Sequence, residues 1–285
     1  MRKAFHVVSQ SCSILKRHPL FAFPFVLLAL LEGIALYLLF LAPQEPFAKL
    51  LAPPIARFWG DQFVHYPGHL FLLPRLFYYA KLLLSFMPGM FVSAYFIGLI
   101  ADVKLKRKTS RRYRIKTALH RFFALFIIWG FGMGVLKLVE ILYTQAAGWG
   151  DDSKVYLTSL QFLVFFLSFW AQILFLYALP LVILAGQSLF GALIGNFRYL
   201  KRLFLPTTFC IFLAAFLYLG LYIFEKDLVG LAARTSPEII VVVLAVSIPL
   251  TMVINLLMTT ATTLLFIDEQ ETDPQVSIVT GKGGS

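Results

Sequence analysis

Ionisable side chains inside long apolar stretches are the first residues to consider for chemistry in this sequence. Glu32 lies near the middle of one apolar run, and Lys137 and Glu140 lie three residues apart in another. Because an unpaired charge in hydrocarbon is costly, such groups either serve a function or are neutralised by a partner. Residues three apart share one face of a helix, so Lys137 and Glu140 can neutralise each other. Glu32 has no such neighbour in its own helix, and Lys137 is a candidate partner.

Two amides lie at similar depth in other apolar runs. Polar amides in such positions usually bond between helices, and the alternative is contact with a ligand. For Glu32 the alternatives are a group on a substrate or proton path and a protonated or hydrogen-bonded packing residue. The candidate intramembrane polar site therefore comprises Glu32, Lys137, Glu140, Gln172 and Asn255.

No motif of a known catalytic or cofactor site occurs. The sequence lacks a Gly-Lys-Ser/Thr phosphate loop, a Gly-x-Ser-x-Gly elbow, a His-Glu-x-x-His zinc motif and a Cys-x-x-Cys pair. Gly130, Gly132 and Gly134 lie inside an apolar run, which predicts a kink and close helix approach rather than nucleotide binding. His65 and His69 have metal-ligand spacing, but Pro67 between them argues against a regular helix. We expect no catalytic residue, no cofactor, no metal and no enzymatic activity.

The composition indicates an integral membrane protein. Of the 285 residues, 60% are apolar and 14% are charged, against roughly 45–50% and about 25% in soluble domains. A hydrocarbon core about 30 Å thick needs about 20 apolar residues of helix. The sequence therefore predicts an all-α polytopic fold with one membrane domain, 1–267, and a disordered cytoplasmic tail, 268–285. Six stretches are long enough to span a bilayer: 20–42, 80–102, 122–145, 157–186, 205–224 and 239–267. Five or seven spans are the alternatives.

The basic residues favour one orientation. With six spans, 17 of the 25 lysines and arginines fall on the side that holds both termini, and six fall on the other. Positive charge concentrates in cytoplasmic loops, so both termini are expected in the cytoplasm. Lys81 is expected at the outer end of the second span, where its long side chain can reach water.

Three basic segments, 3–17, 110–121 and 187–204, have apolar residues at helical spacing. Each precedes an odd-numbered span, which indicates an interfacial amphipathic helix and a three-hairpin pseudo-repeat. In the third segment, Asn196 is expected on the basic face, opposite Phe190 and Phe197. Anionic lipid headgroups at the cytoplasmic face are favoured as the partner over nucleic acid. The predicted contact residues are Lys16, Arg17, Lys104, Lys106, Arg107, Lys108, Arg111, Arg112, Arg114, Lys116, Arg121, Arg198, Lys201 and Arg202.

The segment Ile14-Leu-Lys-Arg-His-Pro-Leu-Phe-Ala-Phe-Pro-Phe25 resembles the entry to the first span in a group of bacterial six-span inner-membrane proteins. That group includes the membrane domain found beside glycerophosphoryl diester phosphodiesterases and the YciC-like proteins. The resemblance covers the topology and this one motif, and it transfers no catalytic residue. It implies a helical module of the bacterial inner membrane connected with lipid or envelope homeostasis.

These observations predict a non-enzymatic module that contacts lipid and serves as scaffold or subunit of an envelope or lipid-handling complex. A protein partner or a homo-oligomer is expected. The first alternative is a small-solute or ion transporter with a path lined by Glu32, Lys137 and Glu140, and the second is a membrane-embedded enzyme. Substrate and oligomeric state are not encoded in any recognisable pattern.

Overall fold

The computed structural model describes residues 2–107, 109–149, 154–226 and 228–272, and within these ranges the regular structure is entirely helical. The chain divides into two compact units. The first contains Met1–His18, Ser93–Leu213 and Leu257–Ser285, and the second contains Pro19–Val92 and Ala214–Leu256. The helices are α1 (Arg2–Arg17), α2 (Phe23–Phe40), α3 (Ala48–Trp59), α4 (Gly68–Leu84), α5 (Met90–Lys104), α6 (Arg111–His120), α7 (Phe122–Trp149), α8 (Lys154–Ile173), α9 (Ala178–Ile183), α10 (Leu189–Lys226), α11 (Leu228–Arg234) and α12 (Ile239–Thr272).

Five helices in the described ranges are long and apolar enough to cross a bilayer: Pro19–Phe40, Gly68–Lys104, Phe122–Gly148, Leu189–Leu221 and Ile239–Glu271. This confirms a helical chain with membrane-spanning character, while the sequence predicted six spans. The predicted fourth span, 157–186, is not one helix, because α8 ends at Ile173 and α9 begins at Ala178. Pro180 lies in the first turn of α9, where its missing N–H costs nothing, whereas a helix continuing through it would clash with the preceding turn.

The helix that contains the second predicted span, 80–102, begins earlier than residue 80. The helix runs from Gly68 to Lys104 and passes through a π-helical turn at Ser85–Gly89, which contains Pro88. The wide turn accommodates a residue that cannot donate a backbone hydrogen bond. Lys81 consequently lies thirteen residues inside the helix, about 20 Å from its start, and not at its outer end.

The last helix extends beyond the predicted boundary at 267. α12 continues to Thr272, so the acidic residues Asp268, Glu269 and Glu271 are helical rather than part of a disordered tail. Ion pairs of Asp268 with Lys104 and of Glu269 with Lys3 hold this end of the helix. The rest of the predicted tail, 273–285, lies outside the described residues.

Each predicted amphipathic segment is helical and ends at a break in the helix. α1 ends at Arg17, and α6 is followed by Arg121 with φ −91° and ψ 0°. The third segment continues into α10, where Leu203 has non-helical angles of φ −102° and ψ 16°. We call α1, α6 and residues 189–202 of α10 the basic helices. All three belong to the first compact unit.

The third basic helix is turned differently from the sequence prediction. Ala192, Asn196 and Leu203 are buried, whereas Phe190 and Phe197 are exposed. Asn196 was expected on the basic face, and that prediction is wrong. The reason is that the interrupted backbone between α8 and α9 needs a polar partner, and Asn196 supplies it.

The Asn196 side chain bridges the break between α8 and α9. Its amide group donates to the Leu174 carbonyl, and its Oδ1 accepts from the Tyr177 N–H at 2.9 Å. The Tyr177 hydroxyl is hydrogen-bonded to Thr207, and both side chains are fully buried. Backbone groups freed by a helix break in apolar surroundings must find partners, and one side chain from α10 satisfies two of them.

The second unit has an apolar core contributed by α2, α4, α11 and α12. Leu36, Leu73, Phe77, Leu228 and Leu244 are among its buried members. In the same unit, α3 buries Ile55 against Ala42 and Leu72. The Tyr66 hydroxyl donates to Glu238 Oε1 at 3.0 Å, which joins the segment before α4 to the residue before α12.

Replacing Asn196 by Ala should lower the free energy of unfolding by about 1–3 kcal/mol, because two buried backbone groups lose their partner. Thermal or denaturant unfolding of the purified protein in detergent measures this. Asn255→Ala is the matched control, since Asn255 is exposed and its loss should cost less than about 0.5 kcal/mol. Equal stability of Asn196→Ala and wild type would contradict the bridging role.

The hydrogen bond between Tyr66 and Glu238 predicts a lowered pKa for the Glu238 carboxyl, which lies outside the membrane-spanning helices. Hydrogen bonds from the backbone N–H of Glu238, from the Ser236 hydroxyl and from Tyr66 lower the pKa of Glu238 below its ordinary value of 4.5. The contact therefore adds stability above pH 4.5 that is lost as the pH falls through the lowered pKa. Carbon-13 NMR of the Glu238 carboxyl should show a midpoint below 4.5.

Tyr66→Phe removes one of these donors, so the Glu238 midpoint should rise toward 4.5. Tyr78→Phe is the control, because Tyr78 is also an exposed tyrosine and should leave the midpoint in place. A Glu238 midpoint that is the same in wild type and Tyr66→Phe would show that the hydrogen bond does not act on the carboxylate.

Candidate lipid-headgroup interface and intramembrane polar groups

Three ion pairs in the first unit hold carboxylates against basic side chains. Arg114 Nη1 lies 2.6 Å from Asp102 Oδ2, Lys104 Nζ lies 2.7 Å from Asp268 Oδ1, and Lys3 Nζ lies 3.0 Å from Glu269 Oε2. The pairs tie α5 to α6, α5 to the end of α12, and α1 to the end of α12. The first pair joins consecutive helices, and the other two join helices that are far apart in sequence.

The Asp102–Arg114 pair is joined by further hydrogen bonds. Thr109 Oγ1 donates to Asp102 Oδ1 at 2.7 Å, and Arg114 Nη1 also donates to the Thr109 carbonyl at 3.0 Å. The guanidinium lies over the Tyr95 ring, 5.5 Å from its centroid. Both charged side chains are about 15% exposed (16% and 14%). This geometry fixes the turn between α5 and α6.

Two of the predicted lipid contacts are therefore engaged within the protein. Arg114 is ion-paired with Asp102, and Lys104 is ion-paired with Asp268. The side chains of Arg114 and Lys104 are only 16% and 20% exposed. Arg121 is half-buried, with its guanidinium 3.6 Å from the position that a Cβ would take at Gly186. Lys108 lies outside the described residues.

The other predicted lipid contacts are exposed: Lys16, Arg17, Lys106, Arg107, Arg111, Arg112, Lys116, Arg198, Lys201 and Arg202. Large exposed apolar side chains occur on the same helices: Phe5 on α1, Tyr113 and Leu119 on α6, and Phe190, Ile194 and Phe197 on α10. Helices that carry cationic groups beside aromatic and aliphatic groups are typical of the boundary between lipid headgroups and acyl chains. Each basic helix has this combination of side chains.

A second group of polar side chains lies inside the apolar helices of the second unit. Lys81 Nζ donates to Ser247 Oγ at 3.3 Å, and the Ser247 hydroxyl donates to the Leu244 carbonyl at 2.7 Å. The Lys81 ammonium also lies 5.1 Å from the Phe77 ring centroid. Its charge acts on Glu32, which is partly buried on α2. Glu32, Lys81 and Ser247 are thus polar side chains on three apolar helices, α2, α4 and α12, of one unit.

Lys81 and Ser247 were missed by the sequence analysis. In the sequence, Pro74 and Arg75 interrupt the apolar stretch from Leu70 to Ala80, which favours a span that begins at residue 80. Proline is tolerated in membrane helices, and Pro74 lies inside α4. The apolar run that begins at Leu70 was the observation that could have corrected the boundary and moved Lys81 inward.

The five candidate intramembrane residues are divided between the two units. Lys137 Nζ pairs with Glu140 Oε2 at 2.7 Å, and these side chains are 65% and 58% exposed. They belong to the first unit, whereas Glu32 and Asn255 belong to the second. Asn255 is exposed, and the side chain of Gln172 lies outside the described residues. The predicted local pairing of Lys137 with Glu140 is the one that the structure contains.

The two outer histidines have different surroundings. His65 is exposed, whereas His69 is buried with Nε2 3.1 Å from the Phe40 carbonyl. Among the described residues, no three His, Cys, Asp or Glu side chains are grouped as metal ligands.

Comparison of the chain with protein-family models, with curated proteins and with solved structures finds no match.

Proposed function

We propose that this chain is a non-enzymatic membrane module that contacts anionic lipid through its basic helices and serves as scaffold or subunit of an envelope or lipid-handling complex. One observation carries the proposal. All three basic helices belong to one compact unit, and each combines exposed cationic with exposed large apolar side chains.

The charge balance of this unit supports lipid as the partner. Asp102, Asp268 and Glu269 are engaged by Arg114, Lys104 and Lys3, and the basic helices carry exposed lysines and arginines. Each such cation near an anionic leaflet contributes about 1 kcal/mol. Ten exposed cations, eight on the basic helices and two at Lys106 and Arg107 after α5, lie next to apolar spans and favour the headgroup layer over a nucleic acid.

The same proposal includes six crossings, both termini in the cytoplasm and a bacterial inner-membrane location. α8 has 20 residues, about 30 Å of helix, which supports its assignment as the sixth crossing. The basic helices would then face the cytoplasmic leaflet, as the positive-inside rule favours. The resemblance of Ile14–Phe25 to the six-span inner-membrane group points the same way, and the three helix breaks support a three-hairpin repeat.

Neutralising the third basic helix should weaken binding of anionic lipid. For Arg198→Gln, Lys201→Gln and Arg202→Gln combined, the affinity for phosphatidylglycerol over phosphatidylcholine should fall at least about tenfold, because three cations at about 1 kcal/mol each are removed. Native mass spectrometry of the purified protein titrated with each lipid measures the ratio. The preference should also weaken as salt rises.

The matched control removes three exposed cations elsewhere: Lys49→Gln, Arg57→Gln and Arg75→Gln. Their removal should leave the lipid preference within about twofold, since they lie in the second unit. If both triple variants behave as wild type, or both lose the preference equally, the basic helices have no special role and the proposal is lost.

A small-solute or ion transporter is the second candidate, and the Glu32–Lys81–Ser247 set favours it. A carboxylate and an ammonium inside apolar helices are typical of substrate or proton pathways. In proteoliposomes, Glu32→Gln and Lys81→Met should each reduce a pH-gradient-driven flux at least about tenfold, because each removes one of the linked charges. Lys49→Met is the control, since Lys49 is exposed, lies in the same unit and is paired with Glu45. Wild-type flux in both test variants would remove the support for a transporter.

A further inference from the structure

Helix α3 lies in the segment that connects two membrane-spanning stretches. These stretches, Pro19–Phe40 and Gly68–Lys104, are each long and apolar enough to cross a bilayer. His69 Nε2, at the start of the second stretch, lies 3.1 Å from the Phe40 carbonyl, at the end of the first. The two ends are therefore side by side, on the side of the membrane where α3 must also lie.

One side of α3 packs on these two ends. Ile55 is buried against Ala42, two residues after α2, and against Leu72, in the second turn of α4. The 12 residues of α3 make a helix about 18 Å long, which is too short to cross a hydrocarbon core about 30 Å thick. The helix thus lies beside the ends of the spans, near the plane where lipid headgroups meet acyl chains.

The opposite side of α3 is exposed and carries two separate rows of side chains. At 100° per residue, Leu50, Pro54 and Phe58 fall within about 80° of one another, and all three are exposed. Lys49 and Arg57, also exposed, form an adjacent row about 100° away. An apolar row beside a cationic row is typical of a helix that lies in a membrane surface.

Two prolines limit how deeply α3 can lie. Pro53 and Pro54 are inside the helix and have no N–H to bond the carbonyls of Lys49 and Leu50, four residues earlier. In hydrocarbon these carbonyls would find no hydrogen-bond donor, whereas water in the headgroup layer supplies one. Both prolines are exposed. The outward side of α3 therefore suits the headgroup layer and not the centre of the bilayer.

We propose that α3 is an interfacial helix that inserts Leu50, Pro54 and Phe58 among the acyl chains of the adjoining leaflet. The inserted row reaches about 5–10 Å into the boundary between headgroups and acyl chains, while Lys49 and Arg57 stay among the headgroups. Lipid is the partner because it is the apolar phase beside both span ends, and Leu50 and Phe58 are 75% and 72% exposed. Removing such side chains from water is favourable.

This contact differs from that of the basic helices. It uses apolar side chains of the second unit and needs no anionic headgroup, so it forms in phosphatidylcholine alone. Loss of the anionic-lipid preference and loss of α3 insertion are therefore separate results.

Spin labels on α3 test the insertion in the full-length protein. After both free cysteines are replaced by alanine, Leu50→Cys and Phe58→Cys carry the label, and Lys49→Cys and Arg57→Cys are matched controls on the same helix. In phosphatidylcholine vesicles, the label collides with molecular oxygen, which concentrates among acyl chains, and with a water-soluble nickel chelate present on both sides. The ratio of oxygen to nickel collision rates should be at least about threefold higher at the two test positions than at the controls, because only the test row is inserted.

Two other results would overturn the proposal. Nickel collision rates that are equally high at all four positions would place the outward side of α3 in water. Low collision rates with both reagents at positions 50 and 58 would show that a protein surface covers the row instead of lipid. Thermal unfolding of each labelled variant checks that it remains folded.

Discussion

The structure depends on one constraint, which is that polar groups in apolar surroundings must be paired. An unpartnered backbone group or charge in hydrocarbon costs several kcal/mol, a large share of the stability of any single domain. Long helices satisfy the backbone by themselves. At the break between α8 and α9, the Asn196 side chain takes over and bonds both Leu174 and Tyr177.

The same constraint sorts the charged residues. Asp102 pairs with Arg114, and Asp268 pairs with Lys104. The first ion pair joins α5 to α6, and the second joins α5 to α12. What remains on the basic helices is exposed positive charge beside exposed aromatic groups. The acidic residues near these helix ends are thus held in ion pairs within the protein, while the exposed surface of the basic helices is positively charged.

The helical class and most helices were predictable, because length and hydropathy of an apolar run are local properties. The predicted boundaries differ from the helix boundaries near prolines. Pro180 lies in the first turn of α9, just after a helix break, whereas Pro74 and Pro88 lie within one long helix. Long-range pairs were not predictable, since Lys104 and Asp268 are brought together only by packing. The inward position of Asn196 was missed for a similar reason, because its hydrogen-bond partners lie about twenty residues earlier in the chain.

Two lysines show why position in the fold, rather than residue type, decides what a charged side chain in an apolar helix can do. Lys81 contacts a serine hydroxyl and an aromatic ring and acts on Glu32 from another helix, so its charge is distributed over groups inside one unit. Lys137 has Glu140 on its own helix, and both remain largely exposed. A local ion pair still carries a large dipole, and lipid offers it no hydrogen bonds. The first arrangement draws its partners from several helices, whereas the ion pair of the second lies within one helix.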